Sequence, residues 1–126
     1  SQALQAGKVD AGFALHGVWP QVPPSALGGA GKRFQDRCSD TPYQPGCLAG
    51  LEDTISLFWP DMAPNQSLVS PDADSLLWAH EWEKHGTCSG MDQRTYFSNA
   101  VLVAASHNVS AVLQRAGIVP SDTQSY

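Results

Sequence analysis

Only one short stretch of this chain alternates as a half-buried strand must. Residues 10–16 read Asp-Ala-Gly-Phe-Ala-Leu-His, with Phe13 and Leu15 on one side and Ala14 and His16 on the other, the two-residue repeat of a pleated backbone. Gly17 and Pro20 close it. A single strand cannot satisfy its own hydrogen-bonding groups. The strand therefore implies a sheet whose other members come from the loops or from segments outside this sequence.

The remaining regular pattern is helical. Leu51, Ile55, Phe58 and Trp59 form a stripe over 51–59 that stops before Pro60, as a helix does. A second helix is predicted over 75–85, capped by Asp72 or Asp74 and ended at Gly86. Asp92 caps a third through about Ser106, with Tyr96, Phe97, Ala100, Val101, Val103 and Ala104 as its apolar positions. A short fourth, over 110–116, is stopped by Gly117 and Pro120. Residues 21–50 are rich in Pro, Gly and Ser, with a short helical turn expected near 33–36. Long loops in compact domains are usually functional or stapled, and Cys38 and Cys47 lie in this one. The 126 residues, 42% of them hydrophobic, supply one compact domain rather than two.

Twelve acidic and seven basic residues give a net charge of −5. That balance argues against an architectural nucleic-acid binder, which needs a basic surface. It says little against an enzyme whose positive charge is concentrated in a cleft. No apolar run approaches the length of a membrane span, so no membrane partner is expected. Asn65 and Asn108 each begin an N-glycosylation triplet. The third cysteine, Cys88, makes the count odd. Either one thiol lacks a partner within the chain or all three are reduced.

Three of the four histidines fall in two dense islands, one around His16-Gly17-Val18-Trp19-Pro20 and one running from His80 to Cys88. The fourth, His107, stands alone after a helical run and reads as a surface or helix-end residue. In the second island His80 and Lys84 are four apart, as are Glu81 and His85. On a helix this spacing is expected to gather the four into one polar patch, with Leu77, Trp78 and Trp82 packing elsewhere. Taken singly, Glu81 and Lys84 fit an ordinary solvated helix face. Two histidines flanking a Glu and a Lys between tryptophans do not, because imidazole is the commonest acid-base group near neutrality.

Zinc fits the pattern poorly. The metalloprotease helix places its histidines four apart, whereas His80 and His85 are five apart and diverge by about 140° around the axis. Cleavage of RNA by its own 2'-hydroxyl fits better. It needs a base for that proton, an acid for the leaving 5'-oxygen, and positive charge or donors around the phosphorane. Histidines and a lysine meet those needs with no cofactor and no metal. Trp59 and Trp82 read as core.

The two islands resemble the active-site segments of the ribonuclease T2 family. The second match, His80-Glu81-Trp82-Glu83-Lys84-His85-Gly86-Thr87-Cys88, is long and specific. The first carries Val18 where the family usually has leucine. Further likeness to plant and algal members runs through residues 38–42, 51–60, 96–97 and 116–120. The resemblance implies an α+β fold, a twisted antiparallel sheet with packed helices. Residues 1–126 would be a single domain, partial because the family's N-terminal strand and its C-terminal strands are absent. A second chain or missing segment would then complete the sheet.

Residue by residue, the resemblance implies that His85 is the general base and His16 the general acid. Glu81 and Lys84 would stabilise the pentacoordinate phosphate, and His80 would bind it. Trp19 would line the first base site. Gln21 stands where fungal members often carry an aspartate at the base, and Leu77 where many members show phenylalanine near the second base site. Single-stranded RNA would pass through a 2',3'-cyclic phosphate to 3'-phosphate ends, in a secreted protein or one held in a vacuolar or lysosomal-type compartment. The spacing of Cys38 to Trp59 resembles that of the family cysteine bonded to the one after His-Gly-Thr, which implies a Cys38–Cys88 bond and an unpaired Cys47. From the sequence alone, Cys47–Cys88 competes. Two rival functions stand beside the ribonuclease: a catalytically weak homologue serving interaction, defence or storage, and a metal-binding module built on His16, His80 and His85.

Overall fold

A computed structural model describes residues 13–22, 35–61 and 76–125. Residues 10–12 of the expected strand, Arg33 of the expected turn, Asp72, Asp74 and Asn65 lie outside them.

Among the described residues the architecture is helical. α1 spans Glu52–Phe58, α2 Leu76–Lys84, α3 Gln93–Ser106 and α4 Val109–Arg115. Two single 3-10 turns, Pro45–Leu48 and Gly86–Cys88, lie before α1 and after α2. The expected sheet is not seen among these residues, where Gln21 makes one isolated bridge. Nor does the described part of the expected strand, Phe13 to His16, form one. Its alternation is met by other partners. The Leu15 N–H donates to the Phe58 carbonyl at 2.8 Å, and the Trp59 indole N–H donates to the His16 carbonyl at 3.1 Å. The Tyr96 hydroxyl donates to the Val18 carbonyl at 2.8 Å. Residues 13–20 are thus laid across α1 and α3 by buried side chains rather than by a ladder.

The helices begin and end for local reasons. The Asp92 carboxylate accepts from the Thr95 N–H at 3.0 Å and opens α3. These bonds from Thr95 hold its carboxyl below the usual value. Asn108 Oδ1 accepts from the Ala111 N–H at 2.9 Å and opens α4. Gly117, at φ 76°, closes α4 in the left-handed conformation that glycine adopts without cost. Glu52 and Asp53 in the first turn of α1 oppose its positive end. Gln35 and Asp36, the described part of the expected turn near 33–36, are irregular, and a 3-10 turn falls at Pro45–Leu48.

The core is one cluster of Leu48, Ile55, Trp59, Trp78, Trp82, Tyr96, Phe97 and Ala100. Two of its ring pairs meet edge to face, Tyr96–Phe97 with centroids 5.2 Å apart and Trp82–Tyr96 at 5.7 Å, an arrangement their quadrupoles favour. Buried Gln93 ties the preceding loop to α3: its amide donates to the Pro42 carbonyl, and its oxygen accepts from the Gln44 N–H, both at 2.8 Å. Arg94 holds the 3-10 turn by donating to the Cys47 and Ala49 carbonyls.

Candidate active site

α2 does not present the four-residue polar patch that the spacing suggests. Its buried face is the stripe Trp78, Glu81 and Trp82, continued just beyond its end by His85, the three-four repeat of one helical side. Glu81 and His85 therefore turn inward beside the tryptophans, at 3% and 8% exposure. His80 is exposed, and Lys84 is half-buried. Counting i,i+4 pairs finds both columns but not which faces the core. The two tryptophans fix that choice, because their burial carries the larger free energy.

His85 lies just past the end of α2, its N–H still donating to the Glu81 carbonyl at 3.0 Å. Gly86 follows, and any Cβ there would overlap the Trp82 ring, so glycine lets the 3-10 turn close on that indole. The end of α2 is also clamped by the segment that crosses it. The Arg37 N–H donates to the Lys84 carbonyl at 2.9 Å and the Cys38 N–H to Thr87 Oγ1 at 3.1 Å. The Trp82 indole donates to the Thr41 carbonyl at 2.9 Å. Cys38 and Cys88 are bonded, with their Cα atoms 5.0 Å apart, and Cys47 is a free thiol.

The first island meets α2 through Trp19. Its indole N–H donates to Glu81 Oε2 at 3.1 Å. Its ring lies 5.2 Å from that of His85, tilted by 32°, and 5.5 Å from His16, edge on. His80 meets His85 at 6.5 Å. The structure thus brings together His16, Trp19, Glu81, His80 and His85, with Lys84 beside them. Gln21 is exposed. Leu77 packs against the core cluster, and its N–H donates to the Asp61 carboxylate at 3.2 Å. Among the described residues, no group of three or more His, Cys, Asp or Glu side chains is placed to hold a metal ion.

The electrostatics act on His85. Burial lowers the His85 pKa below its ordinary 6.5, with Lys84 and His80 adding to the effect and Glu81 and Asp36 opposing it. A neutral imidazole is thereby available in mildly acidic solution. His85 Nδ1 is buried and has no hydrogen-bond partner. Burial and the nearby Glu81 charge raise the Tyr96 phenol, so it stays a neutral donor to Val18.

Sequence reasoning missed Gly17, Asp36 and the Tyr96 hydroxyl. Only Tyr96 carried a signal, since a buried tyrosine hydroxyl needs a partner. At Gly17, a Cβ would overlap both Glu81 Oε2 and Trp19 Nε1. Gly17→Ala is therefore expected to part that pair and to lower turnover on the order of 10²-fold, the cost of misplacing a reacting group by about 1 Å. Steady-state kinetics beside a circular-dichroism check of folding would measure it.

The family model described as the Ribonuclease T2 family matches residues 2–126. The chain belongs to the ribonuclease T2 family. It is 34% identical over 121 residues to the intracellular ribonuclease LX of Solanum lycopersicum, covering 95% of this chain and 46% of that protein. It is 30% identical over 115 residues to the ribonuclease T2 of Sus scrofa, covering 86% and 50%. Among solved structures, RNase NT in complex with 5'-AMP superposes with a TM-score of 0.75 at 29% identity, over 95% of this chain and 54% of that one. An RNase-related protein from Calystegia sepium superposes with a TM-score of 0.71 at 29% identity, over 90% and 54%. This T2-family chain spans about half the length of the curated relatives it matches. Its helices follow the T2 fold.

Proposed function

We propose that this chain carries the catalytic centre of a metal-independent endoribonuclease that cleaves single-stranded RNA by transphosphorylation. The observation that carries the reading is the Trp19-linked cluster: His16, Glu81 and His85 touch one indole, and burial favours the neutral form of His85. In this mechanism His85 takes the 2'-hydroxyl proton, and the oxygen attacks phosphorus to form the 2',3'-cyclic phosphate. His16 delivers a proton to the departing 5'-oxygen. Glu81 and Lys84 stabilise the phosphorane, His80 binds the phosphate, and Gln21 and Leu77 border the bases. Water then opens the cyclic ester to a 3'-phosphate.

RNA digested in excess chelator is expected to yield 2',3'-cyclic phosphate ends and then 3'-phosphates, while DNA, which lacks the 2'-nucleophile, survives. Activity lost in chelator and restored by zinc would replace this mechanism with the metal-binding reading. A folded protein that leaves RNA intact would favour a T2 homologue serving interaction, defence or storage. The Cys38–Cys88 bond supports a secreted or vacuolar setting. The exposed Asn108 is the described candidate for a glycan there.

A further inference from the structure

We propose that Arg37 forms a second phosphate subsite, taking the backbone phosphate on the 5' side of the nucleotide that supplies the 2'-hydroxyl. The inference rests on the ribonuclease reading above. Arg37 belongs to the segment that crosses the end of α2, and its backbone is fixed there. Its N–H donates to the Lys84 carbonyl at 2.9 Å, and the next N–H, of Cys38, donates to Thr87 Oγ1 at 3.1 Å. Cys38 is in turn bonded to Cys88. Among the described residues Arg37 is the only one other than glycine with a positive φ, at 49°. That left-handed conformation is unfavourable for a side chain and open to glycine. It persists where the surroundings enforce it, and such positions cluster at ligand sites.

Charge gives the position its use. The chain carries a net −5, so a polyanion needs positive charge gathered where it binds. The described lysines and arginines are Arg37, Lys84, Arg94 and Arg115. Arg94 is committed to the Cys47 and Ala49 carbonyls, and Arg115 lies in the last turn of α4. Lys84 and Arg37, tied backbone to backbone, are the pair beside His85. The Arg37 side chain is exposed and makes no hydrogen bond or ion pair with another described residue. Its segment otherwise carries the carboxylates of Asp36 and Asp40, and the Asp36 charge already acts on His85. Without Arg37 the segment would repel RNA. The polarity follows from the histidines. As base, His85 lies on the 2'-hydroxyl side of the scissile phosphate, and His16, as acid, on the 5'-oxygen side. Arg37 stands at the His85 end, so the phosphate it meets is the upstream one. A planar guanidinium holds phosphate through two parallel N–H bonds.

The test compares dinucleoside monophosphates that carry no flanking phosphate, a 5'-phosphate or a 3'-phosphate. The 5'-phosphate is expected to lower KM on the order of 3–10-fold, and Arg37→Gly to close that gap. Glycine adopts a φ of 49° freely, so the variant removes the guanidinium and leaves the turn, which circular dichroism and the urea midpoint check. Arg37→Gln, which keeps a polar side chain, should close the gap as well. Arg115→Ala removes the same charge from α4 and should keep it. A fluorescent oligothymidylate has no 2'-hydroxyl and so reads binding without turnover. Arg37→Gly should weaken its binding and reduce the slope of log affinity against log salt by about 0.7, the value for one phosphate contact on a single strand. That slope reports on Arg37 even if the chain leaves RNA uncut, so failure of the ribonuclease reading is separable from failure of this one. A KM gap that persists without the guanidinium, a gap that follows the 3'-phosphate, an equal loss in Arg115→Ala, or a salt slope that Arg37→Gly leaves fixed would each overturn the proposal.

Discussion

His85→Ala and His16→Ala are each expected to lower the rate of RNA cleavage on the order of 10²–10⁴-fold, the range for loss of a general base or acid. The two losses should differ in their dependence on pH. A base must be neutral to act, so the acidic limb of the unsubstituted protein follows protonation of His85. Burial places that limb below 6.5, and the rate falls as pH drops through it. The alkaline limb follows loss of the proton from the general acid. Glu81 and His80 interact with His85, so the acidic limb belongs to the cluster rather than to one residue. His85→Ala should erase the acidic limb from whatever activity remains, and His16→Ala the alkaline one. Combining the two should cost much less than the product of the single losses, because acid and base serve one step. Unchanged activity in either variant removes that residue from its role, and a rate that climbs steadily to pH 10 contradicts the two-histidine scheme.

The two islands were legible in the residues because each is local in sequence. Asp92 with Thr95, Asn108 before α4 and Gly117 after it were equally local, and α1, α3 and α4 lie within a residue or two of where the pattern sets them. The described part of the strand at 10–16, Phe13 to His16, was not. Alternation predicts which side chains share a face, but not whether the backbone finds a ladder or a set of side-chain donors. Here the donors are Trp59 and Tyr96, 43 and 78 residues away. The polar patch on α2 failed for a related reason. Residues 80, 81, 84 and 85 share a sector, but the buried stripe runs through 78, 81, 82 and 85, because Trp78 and Trp82 pull the helix round toward the core. Nothing local in the chain signals that the Trp19 N–H reaches Glu81, 62 positions on.

Removing the staple between Cys38 and Cys88 is the second large effect. The bond closes a separation of 50 residues, and loop-closure entropy of the unfolded chain gives roughly 4 kcal/mol of stabilisation for such a loop. A domain of this size has about 5–15 kcal/mol in total, so Cys38→Ser with Cys88→Ser is expected to lower the unfolding midpoint in urea substantially. Turnover in the cold should suffer far less. The join at the end of α2 is held independently by the bonds from Arg37 to Lys84, Cys38 to Thr87 and Trp82 to Thr41, and two of these involve no cysteine. Below the midpoint, His85 should therefore keep its place. Cys47 supplies the internal control. Its thiol is half-buried, and desolvation raises its pKa, so it should alkylate slowly in the native protein and fully after unfolding. Peptide mapping without reductant should recover Cys38 linked to Cys88. A Cys47–Cys88 peptide would move the staple to the 3-10 turn before α1, and three alkylated thiols would leave the stability of the chain to its aromatic core alone.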